Sequence, residues 1–443
     1  MRTAQGAAKV SPDREPRLGK LTIRQFLRRH WQRQPLLMRQ VWPGLLGSTD
    51  ASPIALSPRE LFALARDPDV ESRLVLAPGG GATTAAGRPG TGPTTATPPR
   101  SSAGWRLHQG PFSRLPPRRQ AGWSLLVQGV DLHLPAARGL MDLFRFIPDA
   151  RLDDLMISFA TDGGGVGPHV DSYDVFLLQI AGRRRWQVAA PAPATLVADA
   201  PLRILANFAP QQTWLLEPGD MLYLPPGWGH DGTAVGDCLT CSIGFRSPSM
   251  AELRRAFFGF LADDESLASP PAVGAMRRYR DNTVQPAAHP AEIPADMATT
   301  LARWLRGYRP PTPLIERFIG CYLTEPKPTV WFDAPQEAVP MGARSPLGAA
   351  SLDGTPLALD RRTRMLYRRN AFYINGEALE VPDGITSCST DAPAARSVRR
   401  LLRILADQRG LDAVQTAKAL RQPWLRDRID EWLATGWLRR AGS

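Results

Sequence analysis

A histidine and an aspartate separated by one residue, His169-Val170-Asp171, stand at the centre of the stretch RLDDLMISFATDGGGVGPHVDSYDVFLLQIAGRRRWQV, residues 151–188. In a strand, residues i and i+2 point to the same face, so an imidazole and a carboxylate can aim at one point. A third candidate ligand closes LEPGDMLYLPPGWGH, where His230 ends a Pro/Gly-rich turn. Two His and one carboxylate on one side of an ion, with other positions open, form the facial triad of non-haem Fe(II) oxygenases.

A lone HxD arises easily by chance, and the alternative is a surface His beside a turn Asp. The surroundings decide for a metal. GGGVGP bends the chain ahead of His169, and VFLLQI after it reads as a buried strand. EPGD, MLYL and PPGWG read as turn, strand and turn leading to His230. The fold class predicted is mainly β with α, a double-stranded β-helix of the cupin kind with both ligands at strand ends.

RRRWQVAAP follows a turn predicted at Ala181-Gly182. On a strand, Arg184, Trp186 and Val188 share the apolar face, so Arg184 points inward. A buried guanidinium is costly without an anion, and its planar fork suits a carboxylate. No acidic residue lies nearby in sequence, which leaves a distant Asp or Glu, or a ligand. A carboxylated co-substrate is the sharper expectation, with 2-oxoglutarate the first choice.

The run GGGVGPHVDSYDVFLLQIAGRRRWQV, the LPPGWGH turn and the CSIGFRSP that follows resemble the bacterial ribosomal oxygenases of the JmjC family, and the likeness extends more loosely from Leu18 onward. The resemblance implies a 2-oxoglutarate/Fe(II) enzyme that 3-hydroxylates an arginine of large-subunit ribosomal protein L-sixteen. It implies that His169, Asp171 and His230 hold the iron. It also implies that Arg184, fifteen positions after the first His ligand, binds the distal carboxylate of the co-substrate. Asp154 and Tyr173 match the places that hold the target guanidinium. One departure stands out: where the family pattern leads us to expect Asn near the metal, this chain has Thr240, which can donate one hydrogen bond and accept others.

Residues 1–17 read as disordered and 18–248 as the oxygenase domain, with helices at LTIRQFLRRHW and SPRELFALARD. Residues 78–104, PGGGATTAAGRPGTGPTTATPPRSSAG, are a low-complexity insertion between two strands, and loop length costs a fold little. WSLLVQGVDLH is predicted as a strand. In RLDDLMISFA, Asp154, Met156, Ser158 and Ala160 share one face; Asp154 then faces the site, and Ser158 is placed to bond the co-substrate. Helices over 249–324 read as a partner or dimer surface, the dimer being what the resemblance implies, and 325–348 as a linker. Residues 349–443 combine a hairpin turning at Asn375-Gly376 with three helices, the last drawn over LRDRIDEWLATGWL, in a winged-helix-like module.

Composition bounds the rest. No apolar run approaches the ~18 residues of a membrane span, and the first residues lack the apolar core of a secretory signal, so a cytoplasmic protein is expected. Four Cys are too few for a disulfide scaffold, and Cys238 and Cys241, three apart on a strand, face opposite ways. His30, His108, His133 and His289 lack partners at ligand spacing. A net charge of +12 does not favour a basic ribosomal-protein substrate, and suggests at most a target still bound to RNA.

The expected function is therefore hydroxylation of an arginine β-carbon by Fe(II), 2-oxoglutarate and O2, in a homodimer. Two alternatives stay open: the same fold acting as a histidyl hydroxylase or JmjC demethylase, and a non-catalytic cupin scaffold that binds RNA or ribosomes.

Overall fold

The computed structural model describes residues 17–43, 57–78, 104–263, 295–307, 309–333, 354–381 and 392–441. Most of the N-terminal segment, the 79–103 insertion, His289, Cys388 and most of the linker lie outside the described residues. The chain divides into two compact units, 1–247 and 248–443.

In the first unit, β1 (Arg17–Leu18) and β2 (Leu21–Thr22) pair ahead of α1 (Ile23–Arg29). Thr22 and Gln25 cap this helix reciprocally, and Ser57 and Glu60 do the same for α2 (Pro58–Leu64). The remaining strands are β3 (Leu36–Met38), β4 (Ser72–Leu76), β5 (Arg106–Gln109), β6 (Trp123–Val127), β7 (Leu152–Ala160), β8 (His169–Val170), β9 (Val175–Ala189), β10 (Gln212–Leu216), β11 (Met221–Leu224) and β12 (Gly229–Phe245). They form a ten-stranded sheet in the order β3-β11-β9-β12-β7-β6-β4-β5, with β10 on β9 and β8 on β12. The strand predicted over WSLLVQGVDLH stops at Val127; Gly129, at φ +60°, turns the chain into the short α3 (Val130–His133), and α4 (Pro135–Asp142) follows.

The long strands β9 and β12 pair antiparallel from Gly229↔Ala189 to Gly244↔Val175. The turn expected at Ala181-Gly182 is instead a bend inside one continuous strand. Gly182 takes φ +61°, and a Cβ there would collide with the Asp237 carbonyl oxygen. β12 matches the bend with an irregularity between Val235 and Leu239, so the pairing continues on both sides. β9 thereby pairs with β11 before the bend and with β10 after it.

The alternation of side chains sorts the two faces. Leu155, Ile157 and Phe159 of β7 join Phe176, Ile243 and Phe245 in the larger core, against Phe26 and Phe144. Val175, Leu177, Trp186, Val188, Leu216 and Leu222 form a separate apolar group on the other side. Each fully buried Phe or Leu stabilises by roughly 1.5–3 kcal/mol relative to exposure. A polar staple crosses this arrangement: buried Asp174 accepts from Tyr223 Oη at 2.6 Å, Arg151 Nη2 at 3.0 Å and Gln32 Nε2 at 3.1 Å. It fixes the loop between β8 and β9. The ends of the insertion meet, since a Cβ on Gly104 would lie 3.2 Å from Pro78 Cα, and β4 and β5 pair as a hairpin across it.

The second unit begins with α5 (Met250–Asp263), α6 (Ala295–Gly307) and α7 (Thr312–Thr324), where Phe257 and Phe260 pack on Phe318. Two three-stranded sheets follow. One joins β13 (Leu357–Leu359) to β17 and β18; the other is β14 (Met365–Arg368), β15 (Ala371–Ile374) and β16 (Glu377–Leu379). Asn375 and Gly376 connect β15 and β16 with φ of +46° and +92°. Helices α8 (Ala392–Gln408), α9 (Ala413–Leu420) and α10 (Pro423–Ala434) pack around Leu402, Ile429 and Trp432, with β17 (Gly410–Leu411) and β18 (Leu438–Arg440) between and after them. The last helix ends sooner than its sequence suggests, because Gly436 at φ +74° stops it and Leu438 enters the sheet.

Candidate active site

β8 and the first residues of β12 pair so that His169 lies opposite His230 and Val170 opposite Gly229. This register carries His230 beside the HxD. Ligand atoms of His169, Asp171 and His230 all lie within 4.8 Å of one another, and His230 Nε2 is 3.5 Å from Asp171 Oδ2. The two imidazoles stand 4.2 Å apart between centroids, tilted by 56°.

Each ring is fixed from behind. His169 Nδ1 lies 2.9 Å from the Gly167 carbonyl and His230 Nδ1 3.0 Å from the Trp228 carbonyl. A carbonyl only accepts, so each Nδ1 carries the proton and each Nε2 presents its lone pair to the cluster, the outer-partner arrangement typical of metal-binding His. Burial, reinforced by the neighbouring His169, holds the pKa of His230 down to about 4, which keeps its ring neutral. The donor set therefore fits a divalent ion of the imidazole–carboxylate class.

The three side chains open onto a cavity of about 570 Å³ that is also lined by Asp153, Asp154, Ser158, Tyr173, Arg184 and Trp186. Arg184 is 4% exposed. Its Nη1 donates to Ser158 Oγ at 2.9 Å and Thr240 Oγ1 at 3.4 Å, and its Nη2 to the Gly232 carbonyl at 3.2 Å. These acceptors are neutral. Burial lowers the pKa of Arg184, while Cys238 and the buried Asp231 act in the opposite direction. Its Nε is buried without a hydrogen-bond partner, and the guanidinium stacks 5.2 Å over the Trp186 ring. A cation with an orphaned buried donor beside an open cavity is suited to an anionic ligand.

Gly232 makes this packing possible. A Cβ there would come within 2.7 Å of the Trp186 ring and 2.9 Å of Arg184 Nε. Behind Arg184, Thr240 Oγ1 donates to Gln179 Oε1 at 2.9 Å, and Gln179 Nε2 donates to the carbonyls of Ala181 and Gly182.

At the other side of the cavity, Asp154 accepts from Gln128 Nε2 at 3.4 Å and is 7% exposed. Tyr173 lies at the mouth, 40% exposed. Its pKa is raised by burial first and by the charges of Asp171 and Asp154 next, so the phenol stays protonated. All eight residues singled out from the sequence gather around this region: seven line the cavity, and Thr240 touches it through Arg184. Sequence reading overlooked Gln179, Gly232 and Asp174. None belongs to a spaced motif.

Residues 139–253 match the JmjC domain family. The chain is 35% identical over 277 residues to the ribosomal protein uL16 3-hydroxylase of Escherichia coli, covering 60% of this chain and 62% of that protein. It is 33% identical over 232 residues to a probable ribosomal oxygenase of Haemophilus influenzae, covering 52% of this chain and 50% of that one. These alignments thus span half to three-fifths of the relatives' length. A solved structure of YcfD, a ribosomal oxygenase from E. coli in complex with cobalt and 2-oxoglutarate, superposes with a TM-score of 0.71 at 28% identity, over 96% of this chain and all of that one. Residues 139–253 are accordingly similar to the JmjC domain, and the chain is similar along nearly its whole length to a bacterial ribosomal oxygenase of known structure.

Proposed function

We propose that this protein is a 2-oxoglutarate- and Fe(II)-dependent oxygenase that hydroxylates an arginine β-carbon of a large-subunit ribosomal protein, with uL16 the first candidate. The observation that carries the reading is one cavity holding the triad, the buried Arg184 and the acidic pair Asp153–Asp154. The cobalt and 2-oxoglutarate complex of the similar YcfD supports the cofactor assignment, and the name of the E. coli relative supports the substrate class.

When bound, Fe(II) and 2-oxoglutarate supply the activation of O2, coupling oxidative decarboxylation to succinate and CO2 with insertion of one oxygen atom into the substrate. The chain's own residues bind, orient and shield. His169, Asp171 and His230 hold the metal through two Nε2 atoms and a carboxylate oxygen. Arg184 receives the distal carboxylate of the co-substrate. Ser158, whose oxygen accepts from Arg184, keeps its own O–H for the co-substrate, and Thr240 Oγ1 accepts from the same arm of Arg184. Asp154 takes the target guanidinium, with Tyr173 covering it at the mouth. Neither Asp154 nor Tyr173 needs to move a proton. Leu177, Met156 and Trp186 exclude water from the walls.

The buried carboxylate of Asp154 favours a cationic arginine over a neutral imidazole as target, while Asp153 pairs with Arg246 at 3.3 Å, and the triad with Arg184 argues against a scaffold without catalysis. We place the work of the protein in the cytoplasm beside ribosomes; no helix among the described residues is long and apolar enough to cross a membrane. We read 18–248 as the oxygenase domain, 249–324 as a helical dimerisation domain and 349–443 as winged-helix-like. Met250 and Phe258 of α5 and Ile319 of α7 are exposed apolar side chains that suit a homodimer interface. Nucleic acid enters only through the ribosome.

The test is mass spectrometry of the host's ribosomal proteins with and without this protein. A one-oxygen gain on an arginine, dependent on 2-oxoglutarate and lost in Asp171→Ala, is the expected result. A gain on histidine, or none, overturns the proposal.

A further inference from the structure

The departure at Thr240 has a built partner. Gln179 is fully buried. Its amide is oriented without ambiguity, because Nε2 faces the carbonyls of Ala181 at 2.8 Å and Gly182 at 3.4 Å, which only accept. Its Oε1 therefore faces Thr240 and must receive the hydroxyl proton, at 2.9 Å. Thr240 has no second proton to offer. What remains on its oxygen is a lone pair, and Arg184 Nη1 points at it from 3.4 Å.

From this geometry we infer that Gln179 and Thr240 act as a relay that positions Arg184, and that Thr240 makes no donor contact to the co-substrate. The inference rests on the reading of Arg184 as the anchor for a dicarboxylate. The direction of each hydrogen bond follows from the one before it: backbone carbonyls orient Gln179, Gln179 orients the Thr240 hydroxyl, and the hydroxyl oxygen helps hold one arm of the guanidinium. Ser158 holds the same arm at 2.9 Å but has no such acceptor behind it among its hydrogen bonds in the structure. The two hydroxyls flanking Arg184 thus differ in role: Ser158 retains a proton for the ligand, and Thr240 has given its proton away. An amide at position 240 would offer two protons and escape this constraint, so the distinction belongs to this chain.

The experiment is equilibrium binding of 2-oxoglutarate to the Mn(II)-loaded full chain by calorimetry, a readout independent of turnover. Wild type is compared with Gln179→Met, Thr240→Val, Thr240→Ser and the Gln179→Met/Thr240→Val double variant. Gln179→Met and Thr240→Val should each weaken binding about tenfold, the lower end of what an outer partner is worth at a metal site. The double variant should be no worse than either single one, because both break the same chain of bonds. Thr240→Ser should restore wild-type affinity. Discrimination between 2-oxoglutarate and the one-carbon-longer 2-oxoadipate should shrink in the weakened variants, a ratio that a general loss of stability would not move. If Thr240→Val weakens binding while a folded Gln179→Met does not, or if the two effects add, the relay is wrong. Should Gln179→Met not fold, the Thr240→Val and Thr240→Ser pair still decides: a ratio of 2-oxoglutarate to 2-oxoadipate affinity unchanged in Thr240→Val overturns the inference. Wild-type protein that does not bind 2-oxoglutarate overturns the underlying reading of Arg184 instead.

Discussion

His230 Nε2 lies 3.5 Å from Asp171 Oδ2, although the two residues reach that point from different strands. Two ligand atoms each about 2.1 Å from one ion are roughly 3–3.5 Å apart, so this pair already has the spacing that a shared ion requires.

Replacing Asp171 with Ala leaves two imidazole ligands and no negative charge to balance a divalent ion. Affinity for Co(II), followed by its absorption spectrum, should fall by more than the roughly 10- to 100-fold that outer partners cost. Unchanged metal affinity would remove Asp171 from the ligand set.

Gly232→Ala places a methyl group 2.7 Å from Trp186 and 2.9 Å from Arg184 Nε. The guanidinium and the indole must move apart, at a cost of about 1–3 kcal/mol in stability. A lower urea midpoint with a raised KM for 2-oxoglutarate is expected; a variant that matches wild type in both would show the contact to be soft.

The metal-free protein should be sensitive to acid. His230 has its pKa lowered from 6.5 to about 4 by burial, so between these values the unfolded chain binds a proton that the folded one does not. Its contribution to stability is intact above pH 6.5 and is lost as the pH falls towards 4. Urea unfolding at pH 7 and pH 5 measures it, and His230→Gln should flatten that part of the profile.

Asp154→Asn and Tyr173→Phe test the arginine end of the cavity. Losing a charged hydrogen bond should raise the KM for an arginine peptide by about tenfold or more in Asp154→Asn. The affinity for 2-oxoglutarate should stay within about twofold of wild type, since the guanidinium of Arg184 is held by Ser158, Thr240 and Gly232. Tyr173→Phe should show a smaller effect. Loss of 2-oxoglutarate binding in either variant would contradict the assignment.

Phe258, 66% exposed on α5, tests the proposed homodimer. Phe258→Asp should turn a dimer into a monomer by light scattering with little loss of stability, because the side chain is not part of the core. A dimer that survives this change would move the interface elsewhere.

Local chemistry was enough to read several of these parts from the sequence. The i, i+2 spacing of His169 and Asp171 follows from strand geometry, the cap at Ser57 from a side-chain oxygen one turn ahead of Glu60, and the inward face of Arg184 from alternation with Trp186. Tertiary structure decided the rest. Whether Ala181-Gly182 is a turn or a bend depends on β12, whose irregularity opposite it keeps β9 continuous. That Thr240 faces Arg184 with a lone pair depends on Gln179, placed on β9 opposite it. Pairing between distant strands is set by burial of whole faces at once, and a hydroxyl takes its direction only from neighbours that the fold brings to it. Neither can be read from residue spacing along the chain.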